Sequence, residues 1–380
     1  MIRRYLSKNV SFSKDMIENA IKALHQHPAH GYLCITGGGA SGLSKLLAEP
    51  GASSTILGAD IPYSSTMLSS QLGGTLSSAC SEDTAAMMAA YAFERARRFS
   101  EKSEKPIFGL ACTAALATGR TRRGENRAFI AIQTNADCFL RGIYFDDVTL
   151  RTDQETALGD LLVQALTQLF NLPQAEPSTK GIRVTDNKVT APAEWQRLMS
   201  GELKMFSTSP SIKAVFPGAF NPMHQGHKAI ARVAQKRLGH PVHFEVSVTN
   251  VDKPALSYWH LERRIQGLKT VGPYVFTSAP TFREKAALFP NACFLVGADT
   301  ILRIDNDRYY ASPSDRLAAI DYITSQNCRF LVFGRMIDGS FNTLSDLSLS
   351  PQLDQLCDEV TASEFREDIA SSDLRARPEA

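Results

Sequence analysis

Hydrophobic and polar positions along the 380 residues change register several times. From Met16 to Leu24 the apolar residues Ile17, Ala20, Ile21 and Leu24 recur at helical spacing. The apolar run Tyr32–Ile35 reads as a strand that enters a glycine-rich stretch, Thr36–Gly42. Ser44–Ala48 predicts a helix stopped by Pro50-Gly51, and Ser54–Leu57, Pro106–Leu110 and Arg127–Gln133 predict short strands. Ser81, followed by Glu82 and Asp83, is suited to cap a long helix rich in Ala and Met, because a hydroxyl accepts from a free N–H and acids favour the positive helix end. Ala157–Phe170 predicts a last helix. Helices alternating with short strands imply an α/β layer fold.

The pattern breaks between Pro173 and Ser211, where Pro173, Pro177, Pro192 and Pro210 stand among small and polar residues, with one short helix expected at Trp195–Met199. This stretch reads as a linker between a first domain, 13–172, and a second, 212–380. The second alternates more regularly. Its predicted strands are Ala214–Phe216, Val242–Val248, Tyr274–Thr277, Cys293–Val296 and Arg329–Phe333. Its predicted helices are Met223–Leu238, Tyr258–Lys269, Phe282–Leu288 (opened by the capping box Thr281–Glu284), Pro313–Ser325 and a last one from Ser372. Such alternation predicts a Rossmann-like, doubly wound parallel sheet with a ligand crevice at the carboxyl ends of its strands.

Composition narrows the partners. A hydrophobic fraction of 43% excludes a disordered chain, and a net charge of +2 gives no field for nucleic acid or a membrane surface. The seven cysteines form no CxxC pair and stand near no His at zinc-ligand spacing, which predicts buried thiols in a reducing compartment and a cytoplasmic location. No apolar run approaches the roughly 20 residues of a membrane span, and the N-terminus has no secretory pattern.

One segment carries most of the chemistry: Val215 to His227, VFPGAFNPMHQGH. A strand ends at Phe216, Gly218 permits a sharp turn, and a helix follows with Ile230, Val233, Ala234 and Leu238 on one face. His224 and His227 stand three apart at that helix's first turn, so both rings can face one spot where free N–H groups and the helix dipole already favour an anion. Imidazoles add donors that become cationic as negative charge accumulates, and Gly226 lets a polyphosphate approach the backbone.

This segment resembles the HxGH signature of the nucleotidylyltransferase superfamily, most closely the GxFxPxHxGH of nicotinamide mononucleotide adenylyltransferases. Three downstream segments are similar to family elements: Lys253 to Leu256 leading to Leu261-Glu-Arg263, Val296-Gly-Ala-Asp299, and Ile369-Ala-Ser-Ser-Asp-Leu-Arg375. The last departs from the family at Ala370, which removes a hydroxyl, and at Ser372, which keeps one in place of a Thr. The resemblance implies that His224 and His227 serve the α- and β-phosphates and the transition-state charge. Gly218, Ala219, Phe220 and Gly226 would lie against the nucleotide, and Ser371, Ser372 and Arg375 would grip the pyrophosphate end. Lys253, Trp259, Arg263 and Asp299 are candidates for the acceptor or a ribose. Mg²⁺ would arrive with ATP, since no carboxylate cage is visible and no protein metal site is expected.

In the first domain, Thr36-Gly-Gly-Gly, Pro50-Gly-Ala-Ser53, Tyr63-Ser64, Ser81-Glu82 and Arg120 to Arg127, followed by Leu150 to Glu155, run in the order of the competence-damage-inducible, CinA-like family. Its active members are nicotinamide-mononucleotide deamidases with a Glu-Ser-x-Thr-Gly-Gly motif. Counting back from Tyr63 puts Ile35 at the Glu and Thr36 at the Ser. Ile35 cannot act as a base, so the resemblance implies a degenerate site that still binds a nucleotide.

The two resemblances imply an ATP-using adenylyltransferase acting on nicotinamide mononucleotide or its acid form. Two alternatives stay open: another acceptor, either phosphopantetheine, or a phosphosugar or phosphocholine with CTP; and a nucleotide-binding scaffold or sensor with little turnover. Homo-oligomerisation is left open.

Overall fold

A computed structural model of the chain describes residues 15–100, 105–119, 124–173, 179–207, 209–249 and 255–366. The chain divides into two compact units: Met1–Pro192 with Asp252–His260, and Ala193–Val251 with Leu261–Ala380.

In the first unit a helix over 15–26 (α1) precedes β1 (His30–Thr36), α2 (Ala40–Ala48), β2 (Ile56–Asp60), α3 (Ser65–Gln71), α4 (Glu82–Phe99), β3 (Ile107–Ala115), β4 (Arg127–Thr134), β5 (Asp137–Phe145), α5 (Arg151–Leu169) and β6 (Ile182–Thr190). The strands form one sheet in the order β2-β1-β3-β4-β5-β6. β1 runs parallel to β2 and β3, and β3 to β6 continue as an antiparallel meander. One face packs Leu33, Ile35, Leu110 and Ile130 against α1, α2 and α5. The other packs Tyr32, Cys34, Ala111 and Ala131 against the small side chains of α4. At Gly109 a Cβ would stand 2.1 Å from the backbone nitrogen of Phe93, so only glycine lets α4 lie this close to β3.

The second unit begins with α6 (Ala193–Ser200) and β7 (Met205–Ser207). It continues through β8 (Ala214–Pro217), α7 (Gln225–Leu238), β9 (Val242–Ser247), α8 (Tyr258–Leu268), β10 (Tyr274–Thr277) and α9 (Phe282–Leu288). Then come β11 (Cys293–Gly297), α10 (Ala298–Ile304), α11 (Pro313–Ser325) and β12 (Arg329–Phe333), a hairpin of β13 (Arg335–Ile337) and β14 (Ser340–Asn342), α12 (Pro351–Asp354) and β15 (Cys357–Val360). The sheet order is β15-β12-β11-β8-β9-β10-β7, parallel except for β7 at the edge. The chain therefore switches direction between the neighbours β8 and β11, and their carboxyl ends form the crevice where such sheets take ligands.

All five strands expected in this unit are present, and α9 and α11 have the expected bounds. The linker expectation is corrected. Within 173–211 lie β6, an edge strand of the first sheet, then α6 and β7. Trp195 and Leu198 of α6 are buried, so Pro192 stands between two packed elements, β6 and α6; Pro177 lies outside the described residues. α2 and α5 also start four and six residues before the expected Ser44 and Ala157. The helix expected from Ser372 lies outside the described residues.

Candidate functional site

The turn after β8 is fixed from both sides. The backbone N–H of Gly218 donates to the Glu245 carbonyl at 2.9 Å, and the buried Arg264 guanidinium of α8 donates from Nε to the Ala219 carbonyl at 2.9 Å. Phe220 turns into the core with φ at 45°, and a Cβ on Gly218 would stand 2.7 Å from its ring. This compact turn delivers His224 to the N-cap of α7 and His227 to its first turn.

The two imidazoles stack, with centroids 3.7 Å apart and planes at 30°. A Cβ on Gly226 would stand only 3.1 Å from His224 Cε1, so glycine gives the His224 ring its place. His227 is 8% exposed and meets the rings of Phe220 and Phe216 edge-on at 5.0 and 6.0 Å. Its pKa falls to about 3, chiefly through burial and then through the charges of His224 and Arg335. The His224 backbone N–H donates to His227 Nδ1 at 3.3 Å, so a neutral His227 carries its proton on Nε2. His227 is thus neutral at neutral pH, with its proton on Nε2.

Two more strand ends converge here. Asp299 sits in the first turn of α10, directly after β11. Arg335 follows β12, and sequence reading missed it because an arginine after a strand carries no spacing signal. A Cβ placed on Gly297 would stand 2.6 Å from Asp299 Oδ1 and 2.9 Å from Arg335 Nε, so both side chains lie against the end of β11. In α8 the residue that holds the turn is Arg264, whereas the expected Arg263 is exposed. Trp259 packs against the α4-facing core of the first unit. Lys253, Ser371, Ser372 and Arg375 lie outside the described residues.

In the first unit, Thr36 ends β1 and its hydroxyl donates to the Pro62 carbonyl at 2.8 Å. The glycine turn that follows already holds an anion: Glu155 of α5 accepts from the N–H of Ser41 at 2.8 Å and of Gly39 at 3.0 Å. Tyr63 is exposed, and Arg151 reaches both its hydroxyl, at 3.5 Å, and the Gly37 carbonyl, at 3.1 Å. Ile35 is buried in the core, and burial pushes the neighbouring Cys34 thiol up to about 12. Thr36 therefore has its hydroxyl engaged as a donor to a carbonyl, and the two residues before it in β1, Cys34 with its raised thiol and the apolar Ile35, supply no base at neutral pH.

Among the described residues no three His, Cys, Asp or Glu side chains group to hold a metal ion, and no helix is long and apolar enough to cross a membrane.

Residues 215–377 match the cytidylyltransferase-like family, which supports nucleotidyl transfer in general for this part of the chain. No curated protein matches the chain. Among solved structures, the chain is similar to the competence/damage inducible protein CihA from Agrobacterium tumefaciens, at 18% identity over 42% of this chain and 96% of that one, with a TM-score of 0.34. It is also similar to a competence-damaged protein (CinA) superfamily protein from Escherichia coli, at 20% identity over 40% and 88% of the two chains, with a TM-score of 0.31.

Proposed function

We propose that the second unit transfers the adenylyl group of ATP to a phosphorylated acceptor, nicotinamide mononucleotide or its acid form, and releases pyrophosphate. The observation that carries this reading is the stacked His224–His227 pair at the start of α7, beside the switch between β8 and β11 and inside the region with the family match. An acceptor phosphate oxygen attacks the α-phosphorus in line. Such a reaction needs positioning and charge neutralisation rather than a covalent nucleophile. His227 Nε2–H and the free N–H groups of α7 hydrogen-bond the phosphate oxygens, and His227 gains charge stabilisation as the transition state forms. Asp299 is suited to a ribose hydroxyl, and Ser371, Ser372 and Arg375 to the β- and γ-phosphates. Mg²⁺ would accompany ATP as its counter-ion and would supply neutralising charge to the phosphates. The first unit binds a nucleotide without deamidating it.

The test is a panel of each nucleoside triphosphate against each phosphorylated acceptor, scored by pyrophosphate release. ATP with a nicotinamide or nicotinate mononucleotide is expected to turn over fastest. A preference for CTP, or for phosphopantetheine, would replace the acceptor assignment, and no turnover of any pair would leave a binding protein. Ammonia release from nicotinamide mononucleotide by the first unit would overturn its inactive assignment.

A further inference from the structure

We infer that Arg335 is a phosphate-binding residue of the second unit, its guanidinium taking the nucleotide's phosphate chain from the β12 side of Gly297 while the histidines take it from the β8 side. The inference rests on the transfer reading above and adds a residue to it. β11 lies between β8 and β12, and Gly297 pairs with Phe333 at the carboxyl edge of the sheet. Because Gly297 has no side chain, Arg335 Cγ and Nε lie 2.9 Å from where a Cβ would stand, so the arginine stem crosses the strand end. Its backbone is held in place by the hairpin, where Arg335 pairs with Asn342, and by the ring of Phe341 packed where a Gly334 side chain would be, 2.5 Å from the Cβ position. A cation fixed before the ligand arrives needs no reorganisation during reaction.

The step is balanced without an added acid or base. The acceptor oxygen forms a bond to the α-phosphorus as the bond from that phosphorus to the bridging oxygen breaks. The electron pair leaves with pyrophosphate, whose growing charge the guanidinium fork meets with two N–H donors. Lysine offers a point charge and no fork, so Arg335→Lys is not a neutral change.

The test uses the full chain with MgATP and the best acceptor of the panel. Arg335→Gln is expected to lower kcat/KM for the nucleotide about 10²- to 10³-fold, and Arg335→Lys about tenfold or more. Arg335→Ala should regain about tenfold activity on adding guanidinium chloride, and none on adding methylammonium; a structural arginine would not respond this way. Calorimetry with α,β-methylene-ATP gives a second readout, expected to show about tenfold weaker binding in Arg335→Gln. If that variant fails to fold, Arg335→Lys carries both measurements. An active wild type with Arg335→Gln within threefold of it overturns the arginine assignment and leaves the transfer reading standing. A wild type that binds and turns over no nucleoside triphosphate overturns both.

Discussion

Burial between two phenylalanine rings, with the charges of His224 and Arg335 nearby, makes the proton on His227 costly. His227→Ala removes an oriented donor and is expected to lower pyrophosphate release about 10²- to 10³-fold with the fold intact. The same residue sets a pH dependence of stability. Its folded pKa, about 3, lies below its ordinary 6.5, so on acidification the unfolded chain takes up a proton that the folded chain does not. Its contribution is complete above pH 6.5 and is lost progressively as the pH falls toward 3. By pH 4.5 the wild type should lose about 2–3 kcal/mol through this group, and His227→Gln should flatten that slope in urea titrations at pH 7 and 4.5. An unchanged slope would show that the ring is more hydrated than its packing implies. The histidine pair was legible because residue type, spacing and a helix start coincide in sequence. Arg335 and Arg264 were not, since each acts across a strand end or onto a carbonyl, and no local pattern records which arginine faces inward.

Local chemistry predicted elements well wherever one residue decides the outcome. Ser81 caps α4 by accepting from Thr84 N–H at 3.2 Å, and Thr281 with Glu284 forms the expected box on α9. Strand β5 escaped because Arg141 and Gly142 interrupt its apolar run. The fold buries that arginine by pairing it with Asp186 at 2.7 Å and with Gln164 and Gln168 on α5. Partners 23 to 45 residues away cannot be read from periodicity. The start of α2 has the same origin: its N-cap Gly39 has a positive φ of 96° and no capping side chain of its own, and Glu155 from α5 supplies the acceptor. A carboxylate in that turn stabilises the helix end and fills the place a phosphate would take. Glu155→Ala should therefore destabilise the first unit by about 1–3 kcal/mol in urea titration, by leaving Gly39 and Ser41 N–H without their acceptor. The same variant should bind inorganic phosphate more tightly than the wild type by calorimetry. Equal affinity would mean that the emptied turn is no anion site.

At the scale of the whole molecule, the α/β class follows from the alternating pattern, but the assignment of residues to the two units does not. The first unit takes in Asp252–His260, residues that the periodicity assigns wholly to the second. Tyr258 is 2% exposed; its hydroxyl donates to the Asn135 carbonyl at 2.7 Å and its N–H to Gln133 Oε1 at 3.3 Å. Ser257 Oγ lies 2.8 Å from His260 Nδ1, and His260 Nε2 lies 3.2 Å from Asp83. A fragment ending at Pro192 would open Asn135 and Gln133 to water and lose the apolar area that the Tyr258 ring covers. Its melting temperature should accordingly lie below that of the first unit in the full chain. A synthetic peptide spanning 255–268 should raise it saturably, because a ligand that binds only the folded state stabilises it by mass action, whereas a scrambled peptide should not. In the full chain Tyr258→Ala should cost about 3–5 kcal/mol, and Tyr258→Phe about 1 kcal/mol for the lost hydrogen bond. If the peptide leaves the fragment's melting unchanged at millimolar concentration while Tyr258→Ala still destabilises the full chain, then the segment is held by its covalent neighbours, and the first unit folds without it.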